Sequence, residues 1–334
     1  MTLICLTPVK NEAWVFRRML ACASLWADHI IVADQMSTDG TREIAREFPK
    51  VILQDNLASG YHEGERQRIV FEAARRIPAE RRVLIAVDSD EAVTANFATS
   101  PEWDRVRAAP PGTVIRFNWV NLLPGGHRCW LPPERIAMGF IDDGASSFSD
   151  GQFHVTRLPT PPGAPELVLD EVKMLHFQYL DWERMKSKQA RYLCYEWTAA
   201  GRHRRAIDLY RQYHAMDGIP KDQLGDVRPE WVAGYACRGI DVTAVMPQPT
   251  YPADREVLAL LREHGADRFR KLNIWGKNWA ALAARWDMPV ADGELADPRG
   301  VVDRVIHWWL ARTQRHRHNF VVRTVQRAMR PLGW

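Results

Sequence analysis

Nowhere does the chain approach the run of about 18 uninterrupted apolar residues that spans a bilayer. Its first residues, Met1 to Leu6, have no basic leader and soon meet Lys10, Asn11 and Glu12, so the expectation is a protein that stays in the cytoplasm. Cysteine is sparse. Cys5, Cys22, Cys129, Cys194 and Cys237 are scattered, odd in number and without a C-x-x-C pair, which argues against a disulfide framework and a zinc site; buried thiols are expected. There is no G-x-G-x-x-G after the first apolar run and no G-x-x-x-x-G-K-[S/T] anywhere, so a dinucleotide fingerprint and a Walker-type phosphate cradle are both disfavoured. Internal repeats and low-complexity tracts are missing as well. Nucleic acid is not an expected partner: a net charge of +4 and a pI near 8.8 are mild, and the basic residues collect in one tail without a recognition motif.

What is present suits a globular protein. The 334 residues are 46% hydrophobic and 26% charged, enough for one large domain or two modest ones with real cores. The stretch that organises the rest is Val83 to Glu91, where Val-Leu-Ile-Ala-Val ends abruptly in Asp88-Ser89-Asp90-Glu91. A short run this apolar reads as a strand buried on both faces, hence an interior strand of a mostly parallel sheet. Open α/β sheets hold ligands at the C-terminal ends of such strands. If the backbone stays extended, Asp88 and Asp90 point to one side and can share a divalent cation; the plain alternative is a strand that ends in a turn.

The preceding residues repeat the theme. Leu3 to Leu6, His29 to Ala33 and Val51 to Leu53 read as strands, with helices over Ala13 to Trp26, Thr41 to Phe48 and Glu63 to Arg76. That β-α-β-α-β-α-β order predicts an α/β fold, since right-handed crossovers give a parallel sheet covered by helices. Each strand runs into a polar motif, so Thr7 to Glu12, Asp34 to Thr41, Asp55-Asn56 and Asp88 to Glu91 should gather along one edge. Further on, Thr113 to Trp119, Phe153 to Arg157 and Val172 to Phe177 read as strands. Asp181 to Ala200, Arg204 to His214, Asp254 to His264 and Val301 to Met329 read as helices, and Met246 to Pro252, with three prolines, reads as a linker.

Thr7-Pro8-Val9-Lys10-Asn11-Glu12, Asp34-x-x-Ser37-Thr38-Asp39-Gly40-Thr41, Arg66-Gln67 and Asp88-Ser89-Asp90-Glu91 together resemble the family 2 glycosyltransferases of GT-A fold. The match covers residues 3 to about 95 well and extends more weakly to about 195. Two positions depart from the usual pattern, Gln67 standing for Asn and Ser89 for Ala. The resemblance implies a GT-A type, Rossmann-like, mostly parallel sheet flanked by helices in a catalytic domain over 1–195, with a helical C-terminal region over 196–334. It also implies an inverting, metal-assisted transfer of a sugar from a nucleotide-sugar donor, UDP-linked by preference, to a saccharide or lipid-linked acceptor in cell-envelope or surface polysaccharide synthesis.

By the same resemblance Thr7, Pro8, Glu12, Asp34, Arg66, Asp88 and Ser89 bind the nucleotide, with Asp34 accepting a hydrogen bond from the base and Asp88 leaning toward the ribose. Mn²⁺ or Mg²⁺ would sit on Asp90 and Asp88, with His176 a third ligand or a diphosphate contact; a buried, hydrogen-bonded histidine is the alternative. Inversion needs one general base. Asp142, Asp143, Asp150, His154, Asp170 and Glu171 are the candidates, with Asp150 preferred, because it lies on a loop before a strand that should border the acceptor, and Asp143 and His154 next. Two rivals remain: a nucleotidyltransferase that makes a nucleotide sugar, and a binding protein that kept the fold and lost catalysis.

The tail is a separate feature. After Asp303 no acidic residue occurs, while Arg304, Arg312, Arg315, Arg317, Arg323, Arg327 and Arg330 accumulate among Trp308, Trp309, Leu310, Phe320, Val321 and Val322. Segment 304–330 has the makeup of a helix lying peripherally on an anionic membrane surface, or of one packed on its own domain with a basic outer face.

Overall fold

A computed structural model describes residues 1–58, 62–148, 155–199, 204–246 and 248–334. The described chain divides into two compact units, residues 1–180 with 223–246, and 181–222 with 248–334. The expected boundary at 195 falls inside a helix of the second unit, and one return to that unit comes at the proline-rich segment read as a linker.

Among the described residues the first unit has eleven strands: β1 (Thr2–Val9), β2 (His29–Asp34), β3 (Val51–Asp55), β4 (Arg82–Ala86), β5 (Glu91–Val93), β6 (Val114–Leu122), β7 (Arg128–Trp130), β8 (Arg135–Ile141), β9 (Glu166–Val168), β10 (Met174–His176) and β11 (Leu224–Asp226). The main path runs β11-β7-β6-β8-β4-β1-β2-β3. Parallel pairing holds across β3, β2, β1 and β4, as the alternating strands and helices require, and antiparallel pairing enters where β8 joins β4.

Continuous apolar strands form here because both faces are covered. Leu3, Cys5, Ile30, Val32, Val83 and Ile85 pack with Phe16, Met19, Leu20 and Ala23 of α1 (Ala13–Ala23). The alternate residues Ile4, Leu6, Ile31, Ala33, Leu84 and Ala86 pack instead with Val70, Phe71, Ala73 and Ala74, which lie on the third helix. That period of two hides Val83 to Ala86 of β4 in one core or the other. Two more helices complete this stretch in chain order, α2 (Thr41–Arg46) and α3 (Glu63–Arg75).

Pro8 sits within β1 without breaking the ladder. Leu6 O accepts from Val87 N, so alternate residues place Pro8 on the β4 side, beyond the last paired residues Leu6 and Ala86, where no ladder donor is needed. Strand β8 is where sequence periodicity gives no signal, because Gly139 interrupts it. A Cβ at Gly139 would come within 2.8 Å of Ile115 Cβ on β6, beside the irregularity at Ile115 and Arg116. Glycine lets the two strands close at that point.

Three expectations are corrected. Asp88 to Glu91 is a turn closed by Glu91 N donating to Asp88 O at 3.0 Å, not two more extended residues. Residues 155–157 are not strand; the remainder of that expected strand lies outside the described residues. The single helix over Val301 to Met329 is broken by a 3-10 turn at Gln314–His316 and a cap at Asn319.

The remaining helices in chain order are α4 (Pro101–Ala108), α5 (Trp182–Thr198), α6 (Ala206–Tyr213), α7 (Pro229–Ala236), α8 (Pro252–His264), α9 (Trp279–Arg285), α10 (Val301–Thr313) and α11 (Phe320–Ala328). In the second unit Ala190, Leu193 and Cys194 of α5 pack on Val257, Leu258 and Leu261 of α8, and a smaller cluster joins Ile207 and Tyr210 to Ile306, Leu310 and Trp334.

Candidate functional site

Parallel register puts the ends of β1, β2 and β4 on one edge. Val9 pairs with Asp34 and Leu6 with Ala86, so Asp34 and Asp88 leave the sheet at nearly the same level, two strand spacings or roughly 10 Å apart. The first two motifs are tied directly. Asn11 N donates to Ser37 Oγ at 2.8 Å, Thr38 N to Asn11 Oδ1 at 2.8 Å, Glu12 N to Thr41 Oγ1 at 3.0 Å and Ala13 N to Asp39 Oδ2 at 3.0 Å. Each loop carries a residue in the left-handed region, Asn11 at φ 54° and Met36 at φ 51°. Backbone of this kind persists where its surroundings dictate it, and here the cross-loop bonds do so.

Asp34 is buried. Its Oδ2 accepts from Ser37 N and Arg42 Nη1, both at 3.1 Å, and Arg42 also reaches Asp55 at 2.7 Å. Asp34 Oδ1 has no hydrogen-bond partner. Three further buried atoms of the same rim share that condition: Thr7 Oγ1, Asn56 Nδ2 and Gln67 Oε1, the last from the second turn of α3. Unpaired buried polar groups are costly, and when four lie at the ends of adjacent elements a polar ligand is the natural partner. Of the other unpaired buried atoms in this unit, Thr113 Oγ1 and Arg81 Nε lie at the opposite edge of the sheet and Asn96 Oδ1 and Trp103 Nε1 after β5. Arg66 precedes Gln67 on α3, whose N-terminus is capped by His62 Nδ1 accepting from Glu65 N at 3.2 Å. Glu12 lies in the β1 to α1 turn, where its carboxylate receives the Trp14 indole N–H.

The turn after β4 is governed by a residue that sequence reasoning missed. Arg157 donates to Asp88 Oδ2 at 2.7 Å and to Glu91 at 2.5 and 3.0 Å, and lies over the Trp119 ring at 5.7 Å. Glu91 is fully buried; its carboxylate also accepts from Trp119 Nε1 at 2.7 Å and from Asp88 N at 3.0 Å. Burial works to raise the Glu91 pKa, but the charge and hydrogen bonds of Arg157 outweigh it and hold the carboxyl below its ordinary range. Burial likewise opposes the Arg157 charge, and Asp88 and Glu91 overcome it and raise its pKa. The sequence did carry one hint: a third carboxylate ending a buried strand needs a cation, although nothing says which one.

Asp90 is buried on the other side of the turn, with His176 Nε2 at 3.7 Å from its Oδ2. His176 Nδ1 lies 2.7 Å from Asn121 Oδ1, an atom that only accepts, so the hydrogen is on Nδ1 and Nε2 is directed at Asp90. The Asn121 amide is oriented by its own donation to Trp130 O at 3.4 Å. His176 also stacks on Trp119, with centroids 5.4 Å apart. Asp90 and His176 therefore suit a divalent cation that takes few protein ligands and completes its shell from phosphate and water. Asp88 is engaged by Arg157, and among the described residues no three His, Cys, Asp or Glu side chains are grouped to hold a metal ion. Ser89 is buried within the turn.

Among the described candidate bases, Asp142 and Asp143 do not join this rim. Asp150 and His154 lie outside the described residues. Asp142 and Asp143 follow β8, whose Ile141 pairs with Val83 at the beginning of β4, so they sit at the opposite edge. There Asp142 accepts from Arg75 at 2.8 Å, and Asp143 holds the loop through Ser146 and Ala145. Burial presses the Asp143 pKa upward, and these hydrogen bonds more than reverse it. Asp143 thus serves as a loop former at this edge. Asp170 pairs with Arg135 and Glu171 with Ser100.

No protein-family model matches the chain, and no curated protein matches it. Solved structures do show similarity. S. aureus TarS 1-349 is 11% identical with a TM-score of 0.37, covering 95% of this chain and 91% of that one. Glucosyl-3-phosphoglycerate synthase from Mycobacterium tuberculosis, in complex with Mn²⁺, UDP and glucosyl-3-phosphoglycerate, is 18% identical with a TM-score of 0.25, covering 37% of this chain and 45% of that one. A 4-diphosphocytidyl-2C-methyl-D-erythritol synthase is 13% identical with a TM-score of 0.28, covering 42% of this chain and 72% of that one. Likenesses this distant carry no functional argument, which rests on the rim itself.

Proposed function

We propose that the chain is an inverting glycosyltransferase of GT-A type, similar to family 2, that moves a sugar from a nucleotide diphosphate donor to a saccharide or lipid-linked hydroxyl in cell-envelope or surface polysaccharide synthesis. The observation that supports this most is the set of unpaired buried atoms Thr7 Oγ1, Asp34 Oδ1, Asn56 Nδ2 and Gln67 Oε1 on the strand edge that also bears Asp88 and Asp90. One donor and three acceptor-capable oxygens suit the edge of a nucleobase, and UDP is the donor we favour. In this reading Asp34 fixes the base, Arg66 approaches the site from α3, and Asp88, steadied by Arg157, faces the ribose.

Bond cleavage leaves growing negative charge on a nucleoside diphosphate. Asp90 and His176 would hold Mn²⁺ or Mg²⁺, which supplies charge neutralisation at the diphosphate when bound. Arg157, paired with Asp88 and Glu91, the residues that flank the Ser89-Asp90 step, contributes a fixed cation to the same field. Asp150 is proposed as the base that takes the acceptor proton, with His154 second.

The test is a panel of nucleotide sugars with and without Mn²⁺, read by thermal stabilisation and by product. Stabilisation by one sugar nucleotide and release of nucleoside diphosphate are expected, both reduced in Asp34→Asn. Release of pyrophosphate from a nucleoside triphosphate would mean a nucleotidyltransferase instead, and binding without turnover on any acceptor would mean a binding protein.

A further inference from the structure

We propose that α10 and α11 form a docking surface for anionic phospholipid. Along α10, Val301, Val305, Trp308 and Arg312 are spaced four, three and four residues apart, and so share one helix face. That face is open to solvent: Val301 is 79% exposed, Val305 56% and Trp308 57%. The helix has met its packing need on the opposite side, through buried Ile306 and Leu310. At the start of α11, Phe320 is 77% and Val321 65% exposed, while Val322 is buried and Arg323 and Arg327 lie outward.

Charge selects the occupant. Seven arginines and no acidic residue follow Asp303, and among them Arg312 lies 4.9 Å above the Trp308 ring. A bilayer interface accepts this combination: indole and phenyl rings settle at the headgroup level, short aliphatic side chains reach the acyl boundary, and guanidinium groups meet lipid phosphate. A nucleic acid would use the arginines and leave Val301, Val305, Trp308 and Phe320 in water. A second copy of the chain would bring seven more arginines against the first seven. Neither satisfies both halves of the pattern.

The experiment is flotation of the full chain with vesicles of phosphatidylcholine alone and of phosphatidylcholine containing phosphatidylglycerol. Binding is expected only to the anionic vesicles and should weaken as salt rises past physiological strength. Val305→Ser with Trp308→Ser, and separately Arg312→Gln with Arg315→Gln, should each lower partitioning by at least about tenfold, since each surface arginine is worth roughly fivefold. All four substituted side chains are exposed, and circular dichroism checks that the helices persist. Equal binding to neutral vesicles, no binding to either, wild-type partitioning by both variants, or preference for DNA over vesicles would overturn the proposal. Sugar-nucleotide stabilisation measured on the same variants keeps the two readings apart. Its persistence without vesicle binding defeats this inference alone, and vesicle binding without it defeats only the transferase.

Discussion

Replacing Arg157 by Gln removes the guanidinium that bonds both Asp88 and Glu91. Glu91 has no exposed side-chain surface and Arg157 only 12%, whereas the Asp88 side chain is 39% exposed, so the cost falls chiefly on Glu91. Trp119 Nε1 and Asp88 N would remain as donors, but neither carries charge. Stripping one partner from a buried ion pair costs about 3–5 kcal/mol, or a fall of about 6–20 °C in the unfolding midpoint for a unit of this size. The assay is differential scanning fluorimetry of the wild type, Arg157→Gln, Glu91→Gln and the double variant. The double variant should recover most of the loss, because no uncompensated carboxylate is left. The pH dependence has a definite sign. The depressed pKa of Glu91 makes its contribution fully present above the ordinary value near 4.3, to be lost as pH falls through the folded value. Without Arg157 burial dominates and Glu91 takes up a proton at higher pH, so the gap between wild type and variant should narrow on acidification. A variant with the wild-type midpoint, or a double variant no more stable than Arg157→Gln, would refute this account.

Asp90→Ala should abolish sugar transfer and metal-dependent nucleotide binding with the unfolding transition retained; full activity in that variant would count against the metal-assisted reading, and full activity in excess chelator would leave a metal-free transferase. Asp34→Asn should weaken nucleotide binding about tenfold to a hundredfold by calorimetry, the weight of a hydrogen bond to a charged group. Gly139→Ala places a Cβ 2.8 Å from Ile115 Cβ and should destabilise by about 1–3 kcal/mol in denaturant unfolding. Burial lowers the pKa values of His214 and His307 from 6.5 to about 4, so their neutral forms stabilise the helical unit fully above pH 6.5. That stability should fall as pH drops from 6.5 toward 4, and a thermal midpoint that stays flat over this window would exclude the effect.

Four apolar runs separated by three amphipathic segments determine the fold of the first ninety residues. β1 to β4 and α1 to α3 lie within a few residues of their expected positions, because a strand buried on both faces and a helix buried on one leave different periods in the sequence. Parallel pairing then forces Thr7, Asp34 and Asp88 onto a common edge, a consequence of topology that the order of elements already contains. Beyond residue 95 local pattern still places β6, β10, α5, α6 and α8, but not β8. β8 is interrupted by Gly139 and defined by what Ile115 allows it to approach. The placement of Asp143 depends on β8 running antiparallel to β4, which reverses the edge to which its following loop belongs. Arg157 lies 66 residues from Glu91, and no spacing rule connects a buried carboxylate to a cation supplied from a distant loop. Sequence determines where charge must be neutralised, whereas only tertiary packing decides which side chain arrives to do it, since many arginines satisfy the electrostatics and one satisfies the geometry.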